Sequence, residues 1–169
     1  MHQTGFIQPI YIDNIKVPSS YLKEINKIKL LKGKEQHNNF DVKHDNPKFI
    51  KNTNEILSPK FLEIGNGHGF KNYKIINMWV QKYLKGEHHS LHIHTPKTSI
   101  FSFIYFLKTT KDSASTFFYN VGHPYVSTEA IEVTAKTGKL IVFHSTIPHE
   151  VKANNDNVRT IVSGNIEYE

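Results

Sequence analysis

Between Val17 and Gly33 apolar residues recur at Leu22, Ile25 and Ile28 with lysines between them, the spacing of a helix with one buried stripe. Ser19 or Ser20 is placed to cap its start and Gly33 to end it. The stretch from Glu35 to Asn54 is polar and has no clear period. Ser58 to Gly65 then reads as a second, short helix, with Ser58 as cap, Pro59 at the first position and Gly65 just past the end. The glycines of "GNGHGFKN" form a turn or loop; they lack the spacing and the strand–helix context of a phosphate loop.

From Tyr73 the pattern changes. "YKIINMWVQKYL", "SIFSFIYFLK", "STFFYN", "AIEVTA", "KLIVFHS" and "RTIVSGNIEY" are β-branched and aromatic, closely spaced and separated by turn residues. Many short strands in succession, with no helical period between them, predict an all-β barrel or sandwich. The expected organisation is one domain over 1–169. Residues 1–70 form a helical or irregular support and 71–169 a β core, so the fold is mainly β with N-terminal helices.

Length agrees with one core, since 169 residues suit a single domain. There is no apolar run of the roughly 20 residues that a membrane helix needs, so no membrane partner is expected. "MHQTGFIQPIYI" has no basic segment leading into an apolar one, so no secretory signal is read there. The chain has no cysteine, which removes disulfides, thiolate catalysis and cysteine zinc sites, and the cytoplasm is the expected compartment. The net charge of +6 comes from lysines scattered along the chain. The densest group, Lys23, Lys27, Lys29, Lys32 and Lys34, lies on one amphipathic segment, as a solvated face would. That distribution argues against nucleic acid as a partner. Nothing in the sequence opposes a homodimer.

The cations are twenty lysines and one arginine, Arg159. Lysine serves solubility, whereas a planar two-point grip on a carboxylate needs arginine. The position of that one arginine therefore matters. On "RTIVSGN" a period of two puts Arg159, Ile161, Ser163 and Asn165 on one strand face.

"GEHHSLHIHT" holds four histidines in ten residues. Alternation along a strand puts His88, Ser90, His92 and His94 on one face and His89, Leu91 and Ile93 on the other, with the face of His89 depending on any bulge. Residues i and i+2 lie roughly 6–7 Å apart, and two imidazoles leaning together can meet one metal at about 2.1 Å. His92 and His94 thus suit two ligands, and His149 in "FHSTIPHEV" is the best third. A chain with eleven histidines can also produce a His-x-His by chance. His88 and His144 are weaker candidates, His144 reading as a packed or rim histidine. If His149 faces the barrel interior, Arg159 ten residues later faces it too, and a buried guanidinium needs an anion. Trp79, Phe101, Phe103 and Tyr105 read as barrel packing.

The order of these motifs resembles the 2-oxoglutarate/Fe(II)-dependent oxygenases, and within them the compact prolyl-hydroxylase-like group. "YLKGEHHSLHIH" is similar to that group's Tyr-x-x-Gly-x5-His-x-Asp segment, "GKLIVFHSTIPHEV" to its distal-histidine segment and "RTIVSGN" to its arginine strand. The resemblance spans about residues 73–166. It implies a double-stranded β-helix, a jelly-roll or cupin-like barrel. It also implies Fe(II) and 2-oxoglutarate as cofactors and hydroxylation of a small-molecule or protein substrate that the sequence does not identify. His92 and His149 would be iron ligands and Arg159 the partner of the distal carboxylate of 2-oxoglutarate. Ser163 would assist Arg159, and Tyr83 would line the pocket. The family's second ligand is usually a carboxylate, whereas here that position is His94. His94 completes a three-histidine site, or turns away from the metal, or marks an altered centre; the first reading is preferred.

Two other functions fit part of the pattern. A cupin-like metal-binding protein would use Gly86 to His94, but the glutamate expected next is replaced by Thr98 and Ser99, and this reading leaves Arg159 unexplained. A three-histidine zinc enzyme without 2-oxoglutarate would need a general acid or base, for which Glu150 is the adjacent carboxylate. Three imidazoles would also accept zinc or nickel.

Overall fold

The structure, a computed structural model, describes residues 9–28, 31–32, 40–43, 47–94, 100–120, 122–125 and 128–169. Its strands are β1 (Ile10–Asn14), β2 (Leu31–Lys32), β3 (Phe40–Lys43), β4 (Tyr73–Lys82), β5 (His89–His92), β6 (Ile100–Lys108), β7 (Thr116–Tyr119), β8 (Ala130–Val133), β9 (Lys139–His144), β10 (His149–Val151) and β11 (Thr160–Tyr168). The helices are α1 (Ser19–Ile25) and α2 (Pro47–Gly67).

The strands form a seven-stranded sheet in the order β1-β9-β6-β11-β4-β3-β2 and a four-stranded sheet in the order β5-β10-β7-β8. From β4 onward the chain passes back and forth between the two sheets, and every described pairing is antiparallel. This is the double-stranded β-helix that the strand spacing and the resemblance imply.

Period-two alternation gives the large sheet two different faces. Outward residues Met78, Val80, Phe103, Tyr105, Leu107, Leu140, Val142, Val162 and Ile166 join Leu57, Phe61 and Ile64 of α2 in one core. Phe101, Phe103 and Tyr105 belong to this layer, as packing. Inward residues form three rows across β4, β11, β6 and β9: Asn77–Asn165–Ser102–Phe143, Trp79–Ser163–Ile104–Ile141, and Gln81–Ile161–Phe106. The apolar members of these rows meet Phe118, Val133 and Val151 of the small sheet in a second core. Each fully buried residue of this kind stabilises the fold by about 1.5–3 kcal/mol. The inward rows turn polar towards Asn77, and there the site is built.

The N-terminal elements depart from the sequence expectation. α1 stops at Ile25, and Leu31 and Lys32 pair in β2. Its N-cap is Pro18, with no side-chain cap bond, rather than Ser19 or Ser20. The short helix expected from Ser58 is the second half of a 21-residue helix with Pro59 inside it. The reason lies in spacing: Phe49, Thr53, Leu57, Phe61 and Ile64 keep one buried stripe through the proline. Pro59 costs one backbone hydrogen bond, and burial of Leu57 and Phe61, both 0 % exposed, outweighs it. Residues 40–43, read as irregular, form β3 on the large sheet. Lys29, Gly33, Lys34, Thr98 and Ser99 lie outside the described residues. Among the described residues no helix is long and apolar enough to cross a membrane.

Candidate metal centre and carboxylate pocket

His92, His94 and His149 converge, each offering one nitrogen, with all three nitrogens within 4.8 Å of one another. β10 is the element that assembles them. His149 opens it, pairs with His92 of β5 on one side and with Phe118 of β7 on the other, and is buried. Each imidazole has its Nδ1 committed. His92 Nδ1 lies 2.7 Å from the Ser90 carbonyl oxygen and His149 Nδ1 lies 2.9 Å from that of Ile147. Those oxygens can only accept, so both Nδ1 atoms carry the hydrogen and Nε2 is left for a metal. Burial, followed by the neighbouring His92, pushes His149 well below the usual histidine pKa, against the opposing bond to Ile147. It is therefore neutral at neutral pH, the state that coordinates.

His94 is held differently. Its backbone N–H donates to the Ser145 carbonyl at 2.9 Å. Its Nδ1 lies 2.8 Å from Asn165 Oδ1 and 2.8 Å from Ser102 Oγ. Burial lowers its pKa, with the Asn165 bond opposing. Trp79, read from the sequence as packing, is only half-buried, with its ring 5.8 Å from the His94 ring. Among the described residues no carboxylate joins the three-histidine cluster. Three imidazoles fit Fe(II) with open coordination positions, and also zinc or nickel.

Strict alternation fails at one residue of the histidine stretch. Val151 pairs with His89 while His149 pairs with His92, so β5 carries one extra residue as a bulge. The bulge turns His89 onto the side of His92, and their rings stack at 3.9 Å. Leu91 and Ile93 are exposed, as the alternation implies. His144 sits at the rim, bonded through Nδ1 to Thr146 Oγ1 and edge-on to Phe101. His88 is half-buried and is not part of the converging group.

Below the histidines, between the sheets, lies Arg159, which is 0 % exposed. Its Nε donates to the Ala114 carbonyl at 3.0 Å and its Nη2 to Thr116 Oγ1 at 3.2 Å. The guanidinium lies 4.3 Å from the ring centre of Tyr83 and 5.2 Å from that of Phe106. Among the described residues, Nη1 is buried with no hydrogen-bond partner, and the other partners are neutral oxygens. A guanidinium buried without a direct ion pair among the described residues is costly, with Asp156 acting on it only at a distance, and an orphaned donor adds to the cost. Burial correspondingly lowers the Arg159 pKa, with Tyr83 opposing. A ligand carboxylate would relieve both penalties. Tyr83 is fully buried, receives the Arg159 carbonyl on its backbone N–H at 2.8 Å and points its hydroxyl to Gln81 Oε1 at 3.3 Å. Ser163 is 5 % exposed, in the inward row with Trp79, between the rows of Asn165 and Ile161.

Several contributing residues escaped the sequence reading. Thr116, at the start of β7, and Ala114, just before it, contact the guanidinium from a segment read only as an aromatic strand. Ser102, Ser145 and Asn77 join around His94 from three separate segments. Asn165 alone had a signal, being on the Arg159 face of "RTIVSGN". Glu150 is unsuited as a base for the histidine cluster: it sits between the buried His149 and Val151 and is engaged by Lys152 and Tyr119.

Residues 77–165 match the family described as "Putative 2OG-Fe(II) oxygenase". Comparison with curated protein sequences gives no match. Among solved structures, a Pseudomonas putida prolyl-4-hydroxylase superposes with a TM-score of 0.72 at 14 % identity, over 96 % of this chain and 94 % of that one. The viral collagen prolyl hydroxylase from Paramecium bursaria Chlorella virus-1, solved with 2-oxoglutarate, gives 0.67 at 12 % identity, over 93 % and 94 %. HygX from Streptomyces hygroscopicus, with nickel, 2-oxoglutarate and hygromycin B bound, gives 0.69 at 8 % identity, over 94 % and 82 %. At these identities the likeness is one of fold. The family match takes in more than half of the chain, with the three histidines and Arg159 inside it, and it establishes that this protein belongs to the 2-oxoglutarate- and Fe(II)-dependent oxygenases.

Proposed function

We propose that His92, His94 and His149 hold the iron through their Nε2 atoms and that Arg159 binds the distal carboxylate of 2-oxoglutarate, assisted by Tyr83 and Ser163. The single observation that carries this reading is the buried Nη1 of Arg159, a charged donor without a hydrogen-bond partner among the described residues. A dicarboxylate held by the metal at one end would offer its other carboxylate to that donor. Fe(II) with 2-oxoglutarate supplies oxidative decarboxylation to succinate and CO2, coupled to hydroxylation of a substrate.

The protein's own part is positioning. Tyr83 and Phe106 sandwich the guanidinium and keep water from it, so the ion pair forms in a medium where it is strong. The bonds from Nε to Ala114 and from Nη2 to Thr116 fix the plane of the fork and leave Nη1 free for a ligand. Ser163 offers a hydroxyl on the same inward face. The Nδ1 acceptors orient the three imidazoles before metal arrives. Trp79, half-buried against His94, forms one wall of the mouth through which a small molecule or a protein side chain would enter.

The reading is tested by reconstituting the protein anaerobically with Fe(II), adding 2-oxoglutarate and oxygen, and measuring succinate. Succinate formation that requires iron and stops in His149→Ala supports it. Succinate formed equally by His149→Ala refutes the proposed ligand set.

A further inference from the structure

The three histidines do not orient themselves in the same way. His92 and His149 each give their Nδ1 hydrogen to the carbonyl two residues earlier, Ser90 and Ile147. That arrangement is local, and the strand backbone that places the histidine also sets its tautomer. His94 makes no such bond. Its Nδ1 faces Asn165, 71 residues away on β11, and Ser102 on β6.

Asn165 and Ser102 are register partners, and so are Asn165 and Asn77. The three form one inward rung across adjacent strands. Asn165 Nδ2 donates to Asn77 Oδ1 at 2.7 Å, which turns Asn165 Oδ1 towards His94. Ser102 Oγ lies 2.8 Å from Asn165 Oδ1 and 2.8 Å from Ser145 Oγ, and both serines are 0 % exposed. The hydrogens have a consistent assignment. Ser145 donates to Ser102, Ser102 donates to Asn165 Oδ1, and Asn165 Oδ1 accepts a second hydrogen from His94 Nδ1. A bare Nδ1 lone pair facing a carbonyl oxygen at 2.8 Å would be repulsive.

Ser102 alone cannot make this choice. A hydroxyl donates as readily as it accepts, and if Ser102 donated to a bare Nδ1 the imidazole hydrogen would sit on Nε2, where it blocks a metal. Asn165 decides between the two tautomers because its oxygen can only accept.

We infer that Asn165 is the positioning residue for His94: its amide oxygen, aimed by Asn77, takes the Nδ1 hydrogen and so leaves Nε2 bare towards His92 and His149. The inference rests on the reading of His94 as a ligand. It assigns to the Asn77–Asn165–Ser102 rung a role that neither folding nor cosubstrate binding requires.

The tautomer can be read without metal. In metal-free protein labelled with 15N, long-range 1H–15N correlations distinguish the two ring nitrogens of His94. The wild type is expected to carry its hydrogen on Nδ1. Asn165→Leu removes the acceptor and is expected to move the hydrogen to Nε2 and to weaken Fe(II) binding, measured anaerobically, by about 10- to 100-fold. Asn165→Asp keeps an acceptor oxygen and is expected to retain the Nδ1–H tautomer and metal affinity near wild type. An Nε2–H tautomer in the wild-type protein overturns the inference, and that measurement needs no variant to fold. A leucine variant that keeps both tautomer and affinity overturns it as well. His94→Ala separates the two claims: unchanged Fe(II) affinity there refutes His94 as a ligand, and with it the metal half of the inference, whatever the tautomer.

Discussion

Arg159 combines three properties that rarely coincide: it is the only arginine of the chain, it is fully buried, and one of its nitrogens has no partner. Lysine in its place would keep the charge but present a point donor where the pocket presents a fork, so Arg159→Lys is expected to fold and bind metal yet bind 2-oxoglutarate about 10- to 100-fold more weakly, the equivalent of one lost charge-assisted hydrogen bond. Titration of 2-oxoglutarate into the metal-loaded variant measures this. The importance of Arg159 was legible in the sequence because the chain spends its other cations as lysine. The His-x-His spacing was legible for the same kind of reason, a chemical type repeated at a strand period. His89 was left open, since a bulge is a register event between two strands and only the pairing with β10 reveals it. Thr116 and Ser102 were illegible because a hydroxyl on an apolar strand acquires meaning only from what faces it across the barrel.

Among the elements, β11 carries much of the proposed site, since it supplies Ser163 and Asn165 and begins directly after Arg159, and it lies between β4 and β6 in the large sheet. Its outward side is tightly constrained at Gly164, where an added Cβ would stand 2.6 Å from the Asn77 carbonyl oxygen and 2.6 Å from a Phe103 ring carbon. One neighbour is backbone and cannot yield, so Gly164→Ala is expected to destabilise the protein by about 2 kcal/mol or more, read as a lower urea midpoint. The entry to β11 is held by Asp156, which accepts bonds from Thr110, Ser113, Asn154 and the Val158 and Arg159 backbone N–H groups. Burial raises the pKa of this carboxyl, but the bonds from Ser113, Thr110, Val158 and Asn154 outweigh it and hold it well below its ordinary value of 3.8. A depressed folded-state pKa stabilises the fold above the unfolded value, and that contribution is lost as the pH falls below about 3.8 through the folded value. Acid unfolding followed by circular dichroism should therefore show a weaker pH dependence between pH 4 and 2 in Asp156→Asn, with lower stability at pH 7. The strands from Tyr73 onward were readable from their β-branched and aromatic runs between turn residues, whereas α2 was not. Its polar first half lacks an obvious period until Phe49 and Thr53 are joined to Leu57 and Phe61 across the proline.

At the scale of the molecule, the two sheets do different work. The large sheet is backed by α2 through an apolar layer and presents a polar rung inward, while the small sheet contributes His92 and His149 of the histidine cluster and Thr116. The sequence implied this architecture through the order of its motifs, because in a barrel wound from alternating sheets, motifs far apart along the chain converge at one end. The sequence did not show that residues 31–32 and 40–43 extend the large sheet, since strands of two and four residues are too short to set a period apart from their polar surroundings. The proposed site joins a metal held by three histidines to a carboxylate grip at Arg159, and anaerobic calorimetry of 2-oxoglutarate into Fe(II)-loaded wild type and Arg159→Ala, with iron content determined for both, probes that link. One-to-one binding to the wild type that requires the metal is expected, with loss of that binding in Arg159→Ala while iron is still present. Binding that is independent of metal, or undiminished in Arg159→Ala, would contradict it.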